Sequence, residues 1–154
     1  MTIAFDPGLV PASTPSVAPV APAAIAAGRG ARRLGWTLSG LFIAFMVFDG
    51  VVKNVEMGIV QETMTGMGWS APDALWRGLG MLALLLTALH AWRPTAVLGA
   101  VLLTGYLGGA VVTQLRAGMP FGTHVLFGVY LGALMWGGLW LREPALRALL
   151  PLRR

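Results

Sequence analysis

Residues 95–115 read TAVLGAVLLTGYLGGAVVTQL and contain no charged side chain. A helix of about 20 predominantly apolar residues crosses the roughly 30 Å of hydrocarbon in a bilayer. Arg93-Pro94 comes before this run and Arg116 follows it, so charged residues mark both ends. The stretch therefore predicts a membrane-spanning helix, and comparable runs can be sought on either side of it.

Three further apolar runs match this pattern. With the first, they predict spans at residues 34–53, 73–92, 95–115 and 124–141. The connections that follow the second and third spans are short, and helices joined by short loops pack as antiparallel neighbours. We therefore predict an all-α membrane protein in which residues 34–152 form a four-helix up-and-down bundle.

The composition favours a membrane protein over a soluble one. Hydrophobic residues make up 56% of the 154 residues and charged residues 11%, whereas soluble domains carry roughly 25% charged residues. The net charge is +5, but the basic residues lie at the ends of apolar runs and not on one face, as nucleic-acid binding requires. We expect the lipid bilayer, and no nucleic acid, as a partner.

The absence of cysteine excludes disulfides, iron–sulfur ligation and thiol chemistry by this chain.

Residues 1–33 differ from the rest of the chain. They contain half of the ten prolines, namely Pro7, Pro11, Pro15, Pro19 and Pro22. Proline lacks the N–H that a helix needs, so this Pro/Ala-rich segment is predicted to be a disordered N-terminal tail. It also lacks the basic start and the unbroken apolar run of a secretory signal.

The segment between the first two spans carries an apolar stripe. Met57, Val60, Met64 and Met67 recur at helical spacing within residues 55–69. The pattern predicts a short amphipathic helix at the membrane surface. A methionine stripe can line a ligand groove, but we favour packing of these side chains against lipid or neighbouring helices.

The basic residues predict the orientation, because with four spans both termini lie on one side. That side carries eight basic residues, Arg29, Arg32, Arg33, Arg93, Arg142, Arg147, Arg153 and Arg154. The other side carries Lys53, Arg77 and Arg116. Cytoplasmic loops hold an excess of Lys and Arg. We therefore predict a multi-pass protein of the cell membrane with both termini in the cytoplasm.

Two glycine pairs predict which spans touch. Gly105 with Gly109, and Gly128 with Gly132, have the four-residue spacing that lets two membrane helices approach closely. We expect the third and fourth spans to be neighbours that meet through these glycines.

Charged residues inside a span are costly to bury and mark candidate functional positions. Asp49 and Lys53 are four residues apart with the acid first, the order that suits an ion pair on one helix. One interpretation is a carboxylate that handles a proton or a ligand. The other is a neutralised pair that fixes the first span against its neighbours.

Polar residues from all four spans converge in the outer half of the predicted bundle. Tyr106 lies near the middle of its span, where we expect it to hydrogen-bond inside the bundle or to donate to a quinone headgroup. The candidate polar cluster comprises Asp49, Lys53, Arg77, Tyr106, Gln114, Arg116 and His124. No catalytic residue is assigned within it.

The sequence argues against several cofactors. His90 ends the second span and His124 begins the fourth, so a membrane thickness of about 30 Å separates them. They cannot both ligate one haem, and without cysteine they do not indicate a zinc site. The chain has no P-loop and no dinucleotide-binding motif. We expect no metal and no enzyme that acts alone, and quinone is the one cofactor left open.

Several motifs resemble the DoxX-like family of small bacterial membrane proteins. They are RPTAVLGA at residues 93–100, LTGYLGGA at 103–110, HVLF at 124–127 and WGGL at 136–139. The resemblance extends over residues 34–152. It implies a four-helix membrane fold and, because the family is similar to a subunit of a thiosulfate:quinone oxidoreductase, an accessory or partner-binding role in a quinone-linked membrane redox system.

Two other functions remain open from the residues alone. Asp49 and Lys53 also fit a small transporter or permeability element, which with four spans per chain would work as a homo-oligomer. The lack of a set of cofactor ligands fits a structural membrane protein without chemistry. Flux that depends on Asp49 distinguishes the transporter, and a co-purifying redox partner protein distinguishes the accessory subunit.

Overall fold

The computed structural model describes residues 28–70 and 72–149, and these residues form helices joined by short connections. The helices are α1 (Arg29–Val55), α2 (Met57–Gly66), α3 (Asp73–Ala91), α4 (Ala96–Arg116), α5 (Phe127–Arg142) and α6 (Pro144–Leu149). A 3-10 turn at Arg93–Thr95 leads into α4, and a π-helical turn at Phe121–Val125 leads into α5. With these turns included, the described residues contain four helices long and apolar enough to cross a membrane, which confirms the predicted fold class.

The first span begins earlier than the sequence predicts. Residues 1–27 of the predicted tail lie outside the described residues, but Arg29–Arg33 form the first turns of α1. The amide of Arg32 donates to the carbonyl of Gly28 over 3.1 Å. The last proline of the tail is Pro22, so the backbone N–H groups after it are free to make helical hydrogen bonds. At 27 residues, α1 is longer than the roughly 20 residues that a span needs, so arginines at its start can reach water or headgroups.

The four long helices form a ring. α1 packs against α3 and α5, and α4 packs against the same two helices from the opposite side, so α1 and α4 are diagonal to each other. The short α2 connects α1 to α3 and covers one end of the ring. We call this the α2 end, and we call the opposite end, where α1 begins and α5 ends, the terminal end.

Glycine lets α1 approach both of its neighbours. A Cβ atom added at Gly35 would lie 2.9 Å from the carbonyl oxygen of Gly138 on α5. A Cβ atom added at Gly50 would lie 3.1 Å from the carbonyl oxygen of Gly80 on α3. Such distances exclude a side chain at these positions without movement of backbone, and they explain how the helices pack so closely.

The two glycine pairs correctly predicted that the third and fourth spans are neighbours. The prediction that these spans meet through all four glycines is wrong. α4 and α5 do pack together, and a Cβ atom added at Gly128 would lie 2.8 Å from Cγ2 of Val111. Cβ atoms added at Gly105, Gly109 and Gly132 would meet no atom within 4 Å. The spacing of small residues does not decide which face of a helix meets its partner, because the rotation of the helix does.

The tightly packed core lies in the middle of the bundle and towards the terminal end. Phe42, Leu103, Met135 and Leu139 are fully buried there, and they come from α1, α4 and α5. His90 packs edge-on against Phe42, with ring centroids 5.5 Å apart. Close packing in this half leaves the interior space of the bundle at the α2 end.

Candidate functional site

A cavity of about 670 Å³ lies between the helices at the α2 end. The size falls within the range of small-molecule and cofactor sites. Its walls come from the C-terminal halves of α1 and α4, the N-terminal halves of α3 and α5, and the inner face of α2. Gly105 and Gly109 line it, so the absence of side chains on this face of α4 helps to leave the space open.

The amphipathic helix predicted between the first two spans is present as α2, and its apolar stripe faces the cavity. Val60 is buried, and Met57, Met64 and Met67 are half-buried. Three of them, Val60, Met64 and Met67, line the cavity. The stripe therefore forms part of a cavity wall, in addition to the packing that we favoured. Methionine is flexible and polarizable, so such a wall can adapt to the shape of a ligand.

Two contacts hold α2 and the segment after it over the end of the bundle. The side-chain amide of Gln61 donates to the carboxylate of Asp73 at the start of α3. Farther along, the guanidinium of Arg116 lies over the ring of Trp69, 4.6 Å from its centroid. These contacts join α2 and the segment after it to α3 and to α4. The cavity is therefore covered by α2 and this segment at the α2 end.

Asp49 and Lys53 form the ion pair that their spacing predicts, and both line the cavity. The side chain of Lys53 is 15% exposed and that of Asp49 is 29% exposed. Opposite charges in contact largely cancel, which lowers the cost of holding them in a partly buried place. The pair presents a polar but neutral surface to the cavity.

Three more predicted residues join this pair in the cavity. Tyr106, Gln114 and His124 all line it. The Oε1 atom of Gln114 is buried and has no hydrogen-bond partner among the described residues. Nδ1 of His124 lies 2.9 Å from the hydroxyl of Thr123. The cavity thus has hydrogen-bonding groups from α1, α4 and the turn that leads into α5.

The other two members of the predicted cluster lie outside the cavity lining. Arg77 is exposed, and its Nη1 atom donates to the backbone carbonyl of Asn54 over 3.4 Å. Arg116 lies against Trp69. Both cations are therefore used in contacts near the helix ends, and their charges do not define the interior of the cavity.

Two tryptophans in the cavity wall were missed by the sequence analysis. Trp69 and Trp76 both line the cavity, and the indole N–H of each is buried without a partner among the described residues. Trp76 could have been found, because it shares a helical stripe with Gly80 and Ala83 on the buried face of α3. Trp69 follows α2 in a connecting segment, whose course depends on tertiary packing.

The histidines and acidic residues of the described chain are dispersed. Across residues 28–70 and 72–149, no three His, Asp or Glu side chains gather closely enough to hold an ion. His90 lies at the terminal end, where its Nδ1 atom is 3.2 Å from the carbonyl oxygen of Ala96. His124 lies in the cavity at the α2 end. The site is suited to binding through apolar contacts and hydrogen bonds.

Comparison with known proteins agrees with the architecture. A sequence model of the DoxX-like family matches residues 37–138, which include most of all four spans and all the residues of the polar cluster. No curated protein matches the chain, and no solved structure matches it. The family match covers more than half of the chain, and the helices are long and apolar enough to cross a bilayer four times. The chain therefore belongs to the DoxX-like family and is a multi-pass membrane protein.

Proposed function

We propose that this protein is an accessory subunit of a membrane redox system and that it binds a quinone in the cavity at the α2 end. The observation that carries the proposal is the cavity itself. Its volume is about 670 Å³, its walls are largely apolar, and a few hydrogen-bonding side chains converge on it. These are the properties of a site that fixes a lipid-soluble ring by shape and orients it by a few polar contacts.

The polar groups suit a quinone headgroup. A quinone is neutral and offers two carbonyl oxygens as hydrogen-bond acceptors. Lys53, Tyr106 and the side-chain amide of Gln114 all carry donors in the cavity. Met64 and Trp76 line the apolar wall, and methionine and aromatic side chains make favourable contacts with a flat ring.

An accessory role follows from what the chain contributes to electron transfer. It contains no cysteine, so it supplies no thiol and no iron–sulfur cluster. Its two histidines lie at opposite ends of the bundle, one beside Ala96 and the other in the cavity. In this proposal, a partner subunit supplies the electrons and this chain holds or delivers the quinone.

The proposal also includes the orientation. The terminal end carries Arg29, Arg32, Arg33, Arg93 and Arg142, and the α2 end carries Lys53, Arg77 and Arg116. The excess of basic residues at the terminal end favours a cytoplasmic position for both termini. The cavity then lies in the outer half of the membrane.

Quinone binding can be measured in lipid nanodiscs with a short-chain ubiquinone as the probe. Because Trp69 and Trp76 line the cavity, a bound quinone is expected to quench tryptophan fluorescence in a saturable way. Tyr106→Phe removes one donor and is expected to weaken binding by about ten-fold, the effect of ~1.4 kcal/mol. Tyr130→Phe is the control, because its hydroxyl donates to the carbonyl of Gly122 outside the cavity. Equal affinity in all three proteins would contradict the proposed site.

The redox association needs a separate test. Crosslinking in the native membrane, followed by extraction of bound lipids and mass spectrometry, is expected to recover a redox protein and a quinone with the chain. Absence of both from repeated purifications in mild detergent would overturn the proposed role.

A transporter is the second candidate, because the Asp49–Lys53 pair lines the cavity. The closed packing of Phe42, Leu103 and Met135 beyond the cavity favours a binding site over a conduit. Flux through proteoliposomes that falls in Asp49→Asn would reverse this preference.

A further inference from the structure

The seam between α3 and α4 changes along its length. At the terminal end the two helices touch, since a Cβ atom added at Gly99 would lie 2.7 Å from Cα of His90. Towards the α2 end, Cβ atoms added at Gly105 and Gly109 would meet no atom within 4 Å, although both glycines line the cavity. On the facing helix, Leu82 lines the cavity and is still 42% exposed. Close contact between the two helices is therefore shown at the terminal end, whereas beside the cavity Gly105 and Gly109 leave the α4 side of this seam without side chains.

The two seams made by α1 are closed at the same level. On one side, the rings of Phe45 and Phe127 pack edge-to-face with centroids 5.0 Å apart, which joins α1 to the start of α5. On the other side, Gly50 packs against Leu84, whose Cγ atom would lie 2.7 Å from an added Cβ atom. These contacts leave little room for a molecule to pass beside α1.

The seam between α4 and α5 and the end of the bundle are also closed. Val111 of α4 packs against Gly128 of α5. Over the end, the contact of Arg116 with Trp69 and the hydrogen bond from Gln61 hold the α2 segment in place. The α3–α4 seam differs from these three near the cavity, because Cβ atoms added at Gly105 and Gly109 on its α4 side would meet no atom within 4 Å.

We infer that the cavity opens sideways into the bilayer between α3 and α4 and that its ligand is a neutral amphiphile, held by its head in the cavity with its hydrocarbon tail passing out through this seam. This inference rests on the proposed function only in placing a ligand in the same cavity. It adds the class of ligand, which is a long-chain lipid with an uncharged polar head, and the route, which is lateral from the hydrocarbon and not from water.

The charges of the site determine the class of head. Asp49 and Lys53 neutralise each other, and Arg116, which lies over the ring of Trp69, is not part of the cavity lining. An anionic head would face the carboxylate of Asp49, whose neighbouring cation Lys53 is already paired, and an ammonium head would face Lys53. A neutral head with hydroxyl or carbonyl groups avoids both costs, because it can use Tyr106 and Gln114 as hydrogen-bond partners.

The seam determines the tail. Leu75 and Leu82 of α3 and Ala110 of α4 line the cavity and are exposed. In a bilayer, these side chains meet lipid chains directly. A tail that lies along them stays in hydrocarbon over its whole length, so the ligand loses no favourable solvation of its tail when its head enters the cavity.

Photolabelling in phosphatidylcholine vesicles tests the inference. The probe is a monoacylglycerol with a diazirine in its acyl chain, and the comparison probe is the fatty acid with the same chain. The neutral probe is expected to label peptides that contain Leu82 and Ala110, and the anionic probe is expected to label them much less. Equal labelling by the two probes, or labelling confined to peptides away from the cavity, would overturn the inference.

Two matched pairs of variants connect the labelling with the seam. Gly109→Leu places a side chain in the cavity, whereas Gly108→Leu on the same helix points away from the cavity lining, and a Cβ atom meets no neighbour at either position. We expect Gly109→Leu to reduce labelling by about ten-fold and Gly108→Leu to leave it unchanged.

Leu82→Trp narrows the seam and is expected to slow the onset of labelling. Its control is Leu85→Trp, because Leu85 is exposed but does not line the cavity.

The outcomes separate this inference from the proposed function. If the monoacylglycerol labels the cavity but the short-chain ubiquinone does not quench fluorescence, the quinone proposal fails and the lateral lipid site stands. If the ubiquinone binds and Leu82→Trp labels as quickly as Leu85→Trp, the lateral route fails and the quinone proposal stands. Equal labelling in Gly108→Leu and Gly109→Leu overturns the seam as the place of the tail.

Discussion

The guanidinium of Arg142 donates through Nη2 to the backbone carbonyl of His90 over 3.3 Å, and this hydrogen bond joins the C-terminal ends of α5 and α3. Arg142 is only 3% exposed, and its Cζ atom lies 4.5 Å from the centroid of the Trp36 ring on α1. The last carbonyls of a helix carry partial negative charge. One buried cation therefore ties three helices together at the terminal end.

Removal of this cation is expected to destabilise the bundle. Arg142→Met loses a hydrogen bond from a charged donor and the contact with Trp36, and we expect a loss of about 1.5–3 kcal/mol in the free energy of unfolding. The measurement is an unfolding titration in mixed micelles. Arg93→Gln is the control, because Arg93 is 61% exposed in its ion pair with Glu143 and should change stability by less than about 1 kcal/mol. Equal losses in both variants would show that Arg142 is not an anchor.

The contact between α1 and α5 predicts a strong effect of a single methyl group. Gly138→Ala would place Cβ 2.8 Å from the backbone nitrogen of Ser39 and 2.9 Å from the carbonyl oxygen of Gly35. Because the atoms in the way belong to the backbone, relieving the overlap requires a shift of a helix. We therefore expect the free energy of unfolding to fall by about 1–3 kcal/mol. Gly132→Ala on the same helix meets no atom within 4 Å and should change stability by less than about 1 kcal/mol. A thermal melt of both variants in the same detergent decides between these effects, and a tolerant Gly138 would refute the close approach.

The Asp49–Lys53 pair is expected to act as a unit. Asp49→Asn leaves a cation without its partner, and Lys53→Gln leaves a carboxylate without its partner, so each is expected to destabilise by about 1–3 kcal/mol. The double variant should lose less than the sum of the two, with a coupling energy of about 0.5–3 kcal/mol. The same cycle at Arg93 and Glu143, in which the cation is 61% exposed, should give about 0–1 kcal/mol. If the loss of unfolding free energy in the double variant equals the sum of the two single losses, the Asp49–Lys53 pair does not contribute to stability.

The proposed orientation can be tested by labelling, because the chain contains no cysteine. Gly28→Cys, Ser70→Cys and Ala145→Cys each introduce one exposed thiol. A maleimide that cannot cross membranes should react with the Ser70→Cys protein in intact cells. It should react with the other two only after permeabilisation, because the proposed orientation places both termini in the cytoplasm. The reverse pattern would place the cavity on the cytoplasmic side.

Local features account for the successful predictions. The hydropathy of each run, such as residues 95–115, decides whether that run partitions into hydrocarbon, and this depends on its own side chains and backbone. The pairing of Asp49 with Lys53 also depends on one helix alone, since a spacing of four residues places both side chains on one face. The inward stripe of α2 follows from the same helical periodicity.

The amino-acid sequence by itself determined the four spans, the amphipathic α2, the ion pair and the end of the bundle where the polar residues collect. Only the tertiary structure decided that Gly35 and Gly138 make the close contact while Gly105 and Gly109 line a cavity. It also decided that Arg77 and Arg116 stay outside the lining of that cavity. The physical reason is that hydropathy and periodicity act within one helix, whereas a cavity depends on the rotation and tilt of several helices. Those are set jointly by how all their side chains pack.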